Sequence, residues 1–165
     1  MNIELFSGIN TVHCNTINFH VMFIFLRENL ELIMNEKTKI MIVEDEEIVS
    51  FDLKKTLEKL GYKVPAQASS GVEAIEKAEN YKPDVILMDI RLKNELDGID
   101  TAHIISFKRR IPIIYLTSFS NEEIRKRAKT TTADSAFLLK PFDEEKLKIT
   151  IENAISDYHS TQNIN

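Results

Sequence analysis

The chain's 165 residues, 43% hydrophobic and 28% charged, suffice for one sizeable core and fall short of two full domains. A formal net charge of −5, from 26 acidic against 21 basic residues, argues against a bulk electrostatic grip on nucleic acid, so no direct nucleic-acid binding is expected. The single cysteine, Cys14, rules out an internal disulfide, no Cys/His spacing matches a zinc site, and His13, His20, His103 and His159 are scattered singles; a reducing cytoplasm is the expected location.

The first element in chain order is an apolar stretch from Ile17 to Leu26. It is shorter than the roughly 20 residues of a spanning helix, Asn18 and His20 interrupt it, and Arg27, Glu28 and Glu31 follow it. No basic residue precedes it and no small-residue cleavage site follows, so neither membrane insertion nor a signal peptide is expected. Residues 1–37 are read as an N-terminal extension, either a loosely attached tail or sequence upstream of a start at Met34. An amphipathic anchor through Leu26, Leu30 and Ile33 is the alternative.

From Lys39 the pattern changes to short apolar runs alternating with stretches of helical period, the signature of a parallel sheet with crossover helices. Five strands are predicted: Lys39 to Val43, Tyr62 to Ala66, Val85 to Met88, Ile113 to Leu116 and Ala136 to Leu139. The runs IMIV, VILM and IIYL are continuously apolar, as strands covered on both faces are, whereas YKVPA is more polar and holds Pro65, which suits a sheet edge. The first helix is predicted to bury Val49, Leu53, Leu57 and Leu60 and to stop at Gly61. Ala74, Ile75 and Ala78 mark the second, and Ala102 and Ile105 the third. The fourth, around Asn121 to Lys129, has only Ile124 and Ala128 to bury among Arg125, Lys126, Arg127, Lys129 and two glutamates, so it is weakly anchored. Its charge run reads either as a solvated face or as part of a partner surface. The last helix starts near Asp143, a plausible N-cap, and carries Leu147, Ile151, Ala154 and Tyr158.

Ligands of an open parallel sheet bind at the carboxyl ends of its strands, where the strand order reverses. The first strand is followed by Glu44, Asp45 and Glu46, the third by Asp89, the fourth by Thr117 and Ser118, and the fifth by Lys140. Carboxylates gathered on one rim repel unless a cation joins them or their pKa values rise. A hard oxygen-seeking ion such as Mg2+ meets that demand, and Lys140 adds a second positive charge able to meet a phosphoryl group. The chemistry suggested is attack by one carboxylate on phosphorus to give an acyl phosphate, with Thr117 hydrogen-bonding a phosphoryl oxygen. Asp89, on the central third strand, is the natural nucleophile.

The segments IMIVEDEE, VILMDIRL, IIYLTS and LLKPF resemble the receiver domains of response regulators, in the single-domain, chemotaxis-receiver-like form, over residues 38–157. The resemblance implies a flavodoxin-like, doubly wound α/β fold: a five-stranded parallel sheet in the order 2-1-3-4-5 with helices on both faces. It implies phosphorylation of Asp89 by a sensor histidine kinase or phosphotransfer protein. Mg2+ would be held by Asp45, Asp89 and the Arg91 carbonyl, with Glu44 acting through bound water. Thr117 and Lys140 would contact the phosphoryl oxygens, the Lys140–Pro141 bond would be cis, and Thr117 with Phe137 would form the switch toward a downstream protein. On that reading the protein is a signalling switch, catalysing only its own phosphotransfer and slow autodephosphorylation. Glu44 stands where Asp is commoner, and Phe137 lacks the hydroxyl of a Tyr. With residues 158–165 read as a tail, no fused output domain is expected. A haloacid-dehalogenase-type phosphohydrolase would need an acid where Arg91 stands, and a nucleotide-binding domain would need a Gly-rich loop where EDEE stands. A pseudo-receiver that only binds partners is disfavoured by the complete residue set.

Overall fold

The structure, a computed structural model, describes residues 37–93, 95–118, 122–132 and 135–162. The readings made for the N-terminal extension, Cys14, His13 and His20 therefore lie outside the described residues.

Five strands, β1 (Lys39–Val43), β2 (Lys63–Ala68), β3 (Val85–Asp89), β4 (Ile113–Thr117) and β5 (Ser135–Leu139), form one parallel sheet in the order β2-β1-β3-β4-β5. The helices are α1 (Glu47–Lys59), α2 (Gly71–Tyr81), α3 (Gly98–Lys108), α4 (Glu122–Thr131) and α5 (Glu144–Gln162). Because side chains alternate across a strand, the apolar runs feed two cores. Met41, Val43, Ile86, Met88, Ile113 and Tyr115 pack under α2, α3 and α4 against Ala74, Ala78, Ile99, Ala102, Ile105 and Ala128. Ile40, Ile42, Val85, Leu87, Ile114 and Leu116 pack on the other face against Leu53 and Leu57 of α1 and Leu147 and Ile151 of α5. Continuous apolarity in β1, β3 and β4 is thus explained by helices on both faces.

β2 is the edge strand that Pro65 suggested, but it starts and ends later than Tyr62 to Ala66. Its pairing with β1 shifts register between Lys39↔Lys63 and Met41↔Ala66, an irregularity at Pro65, whose missing N–H cannot join a ladder. Beyond it the ladder runs on to Val43↔Ala68, and the Glu44 amide donates to the Ala68 carbonyl at 3.0 Å.

α1 stops as Gly61 dictated. Gly61 has φ +93°, its amide donates to Glu58 O, and the Tyr62 amide donates to Leu57 O, a Schellman closure that glycine adopts without steric cost. Its inward face differs from expectation at one position. Ser50 is buried and accepts a 2.7 Å hydrogen bond from Gln67 Nε2, while Val49 is exposed at the edge of the α1–α5 groove. α5 continues through Gln162, past the tail expected from residue 158, with the Tyr158 hydroxyl donating to the Arg110 carbonyl at 3.0 Å. Among the described residues no helix is long and apolar enough to cross a membrane.

Candidate functional site

The rim of carboxyl strand ends collects the residues that chain order had placed there. Glu44, one residue past β1, is anchored by its amide to β2, and its side chain is almost wholly buried. Its Oε2 accepts a 2.7 Å hydrogen bond from Lys140 Nζ, and its Oε1 accepts from the Glu46 amide at 3.3 Å. Asp89 closes β3; its Oδ2 accepts from Lys140 Nζ at 2.8 Å and its Oδ1 from the Arg91 amide at 3.0 Å. Lys140 follows β5, held by its own amide donating to the Thr117 carbonyl at 2.8 Å, and the Lys140–Pro141 peptide is cis. Thr117 is buried at the end of β4, whose neighbour Leu116 pairs with Asp89.

Asp45 completes the group. One oxygen from each of Glu44, Asp45 and Asp89 lies within 4.8 Å of the others. Lys93 Nζ lies 3.0 Å from Asp45 Oδ2, near enough for charge attraction, yet this buried oxygen receives no directed hydrogen bond. Three converging carboxylates, met by the two lysines Lys140 and Lys93, make an all-oxygen set suited to a small hard dication.

The electrostatics follow from burial. Desolvation pushes the Glu44 carboxyl above the ordinary carboxylate range, reinforced by the charge of Asp89 and opposed by the hydrogen bond from Lys140. For Lys140 burial acts against the charged form, but the hydrogen bonds to Asp89 and Glu44 prevail and raise its pKa.

Phe137 lies outside the carboxylate group. It pairs in register with Tyr115, their ring centroids 5.4 Å apart, and the Arg125 guanidinium carbon stands 5.6 Å from the Phe137 centroid, so the ring lies between β4 and α4. The Arg91 side chain is exposed; its amide is what reaches Asp89.

Three residues near the site went unread in the sequence. Lys93 is a loop lysine with no periodicity to mark it. Asp97 caps α3, accepting from the Ile99 and Asp100 amides at 2.9 Å each, and the Asp-Gly pair before a helical run was its available signal. Gly98 lies so close to the Asp89 backbone that a Cβ there would fall 2.0 Å from the Asp89 carbonyl oxygen. The charge run on α4 is not merely solvated either, because Arg127 is bound to Asp97 and Asp100.

Residues 40–152 match the family described as the response regulator receiver domain. The chain is 40% identical to the transcriptional regulatory protein PdtaR of Mycobacterium tuberculosis over 120 residues, covering 73% of this chain and 58% of PdtaR. It therefore spans less than two thirds of that relative. Chemotaxis protein CheY of Halobacterium salinarum is 35% identical over 120 residues, 72% of this chain and 94% of CheY. Among solved structures, the signal receiver domain of a modulated diguanylate cyclase from Desulfovibrio desulfuricans G20 superposes with a TM-score of 0.68 at 35% identity, covering 74% of this chain and 96% of that one. The family pattern runs from the first strand into the last helix, and this chain belongs to the response regulator receiver domains, the signalling switches of two-component systems.

Proposed function

We propose that this receiver accepts a phosphoryl group on Asp89 from a histidine-phosphorylated kinase or phosphotransfer protein, with Mg2+ bound at the neighbouring carboxylates, and passes the change to a protein partner. The carrying observation is the convergence of Glu44, Asp45 and Asp89 oxygens within 4.8 Å, with Lys140 hydrogen-bonded to two of the three.

In the transfer, an Asp89 carboxylate oxygen forms a bond to phosphorus while the bond from phosphorus to the donor's imidazole nitrogen breaks, the nitrogen keeping the electron pair. Asp45, Asp89 and the Arg91 carbonyl would hold the ion, with Glu44 acting through its water; when bound, Mg2+ supplies charge neutralisation to the phosphoryl oxygens. The Arg91 amide, donating to Asp89 Oδ1, fixes the carboxylate's rotation, so the attacking oxygen is presented without a search over rotamers. Lys140 offers its ammonium to the arriving negative charge, and Thr117 offers a hydroxyl from the end of β4. Thr117 and Phe137 then form the switch, Phe137 lying where a shift of β4 reaches α4.

A donor protein has an apolar foothold beside the acidic group. Ile48 and Phe51 of α1 are 85% and 57% exposed and line a groove of about 520 Å³ that Glu44 also borders. The test is incubation with acetyl phosphate and Mg2+ followed by mass spectrometry. Wild-type protein gains one phosphoryl group and Asp89→Asn gains none; undiminished labelling of Asp89→Asn would overturn the assignment.

A further inference from the structure

We propose that Arg127 of α4 is a positioning residue for the Asp89 site, acting through Asp97. One guanidinium spans both acids in and before the first turn of α3. Its Nη1 donates to Asp97 Oδ2 at 2.5 Å, and its Nη2 donates to Asp100 Oδ1 at 2.5 Å and to Asp97 Oδ1 at 3.3 Å. Such forked contacts fix orientation as well as distance, which a lysine cannot do.

Asp97 is tied to the phosphoacceptor strand through the backbone. Its Oδ1 caps α3, and the next residue, Gly98, donates its amide to Ile90 O at 3.0 Å while lying against the Asp89 carbonyl with no room for a Cβ. A displacement of Asp97 is therefore transmitted to the backbone that carries Asp89, since close-packed contacts without free volume move together.

At the other end, α4 sends few apolar side chains into the core among the described residues. Its apolar contribution to the core is Ala128 and the partly buried Ile124, and past its end the Thr132 hydroxyl pairs with the Tyr115 hydroxyl at 3.1 Å. The ion pairs to Asp97 and Asp100 thus join α4 directly to the start of α3, alongside the Arg125–Phe137 contact that joins it to β5. By linkage, whatever moves Asp97 biases α4, and whatever lifts α4 loosens the loop behind Asp89. The functional consequence rests on the proposed role of Asp89; the mechanical link does not.

The experiment compares full-length wild type, Arg127→Gln and, as a control on the same helix, the exposed Lys126→Gln. Amide exchange of residues 124–129 should accelerate about fivefold in Arg127→Gln, the loss expected for a forked, partly exposed ion-pair set, with α5 unaffected. The rate of Asp89 labelling by acetyl phosphate should fall about threefold in Arg127→Gln and stay at the wild-type value in Lys126→Gln. Unchanged exchange in α4, or faster exchange with an unchanged labelling rate, would overturn the proposal. If wild-type protein takes up no label, the phosphoacceptor reading fails by itself. The Gly98 amide resonance then decides the link: a shift in Arg127→Gln supports it and a static resonance overturns it.

Discussion

Lys140 is shared between two carboxylates from different strands: its Nζ stands 2.7 Å from Glu44 Oε2 and 2.8 Å from Asp89 Oδ2. Removing it leaves two largely buried negative charges facing each other. Lys140→Ala should lower stability by about 1–3 kcal/mol, less than a fully buried pair would lose because the lysine is partly exposed. Urea unfolding reads this directly. Adding Glu44→Gln to that variant should recover part of the loss, and saturating Mg2+ should do the same. A loss indifferent to both would mean that charge crowding is not its cause.

Lys93 supplies the acidic group with a tethered cation, 3.0 Å from Asp45 Oδ2. Mg2+ bound at the proposed site would have to work against that charge. Lys93→Ala should therefore bind Mg2+ about threefold to fivefold more tightly, a span set by the small worth of an exposed pair. The effect should shrink as salt rises. Titration followed by amide shifts measures it, and weaker binding in the variant would count Lys93 as a support of the metal site.

Two glycines predict phenotypes that differ in Mg2+ affinity. Gly98→Ala places a methyl 2.0 Å from the Asp89 carbonyl oxygen, so β3 or α3 must move, and both stability and Mg2+ affinity should fall. Gly61→Ala meets nothing within 4 Å but sits at φ +93°. It should cost about 1–2 kcal/mol of stability through strain in the left-handed region and leave Mg2+ affinity unchanged. Parallel denaturation and Mg2+ titration of the two variants separate these effects.

Acid should weaken the start of α2. Glu73 accepts hydrogen bonds from Lys77 Nζ at 2.6 Å and the Ser69 amide at 2.7 Å, and these hold its carboxyl below the ordinary glutamate value of 4.5 against a small opposing effect of burial. A lowered folded-state pKa stabilises above the unfolded value and is lost as pH falls through the folded one. Glu73→Gln should thus cost roughly 0.5 kcal/mol at neutral pH, the screened worth of a partly exposed pair, and nothing well below pH 4. Unfolding midpoints at the two pH values check the sign.

The sequence made the site legible because its residues sit directly after strands whose apolar runs are unmistakable. Glu44, Asp45, Asp89, Thr117 and Lys140 needed only the strand ends and the strand order to be brought to one rim. What escaped depends on contacts between distant segments. Periodicity assigned Val49 to the core because it shares a face with Leu53, but the partner Gln67 turned Ser50 inward. The β2 boundaries moved because pairing with Met41–Val43, not strand propensity, decides where that edge strand ends. Arg127 looked like one charge among many on a polar helix; its acids lie 27 and 30 residues earlier, beyond any local pattern.

On the proposed function, Asp89 is the carboxylate phosphorylated to an acyl phosphate, with Mg2+ required. Reductive trapping tests it most directly: wild-type protein is exposed to acetyl phosphate with Mg2+ or with EDTA, the acyl phosphate is reduced with borohydride, and the modified residue is located by peptide sequencing. The expected result is conversion of Asp89 to homoserine with Mg2+ and none with EDTA. Modification of Asp45 or any other carboxylate in place of Asp89, or equal conversion in EDTA, would contradict the account.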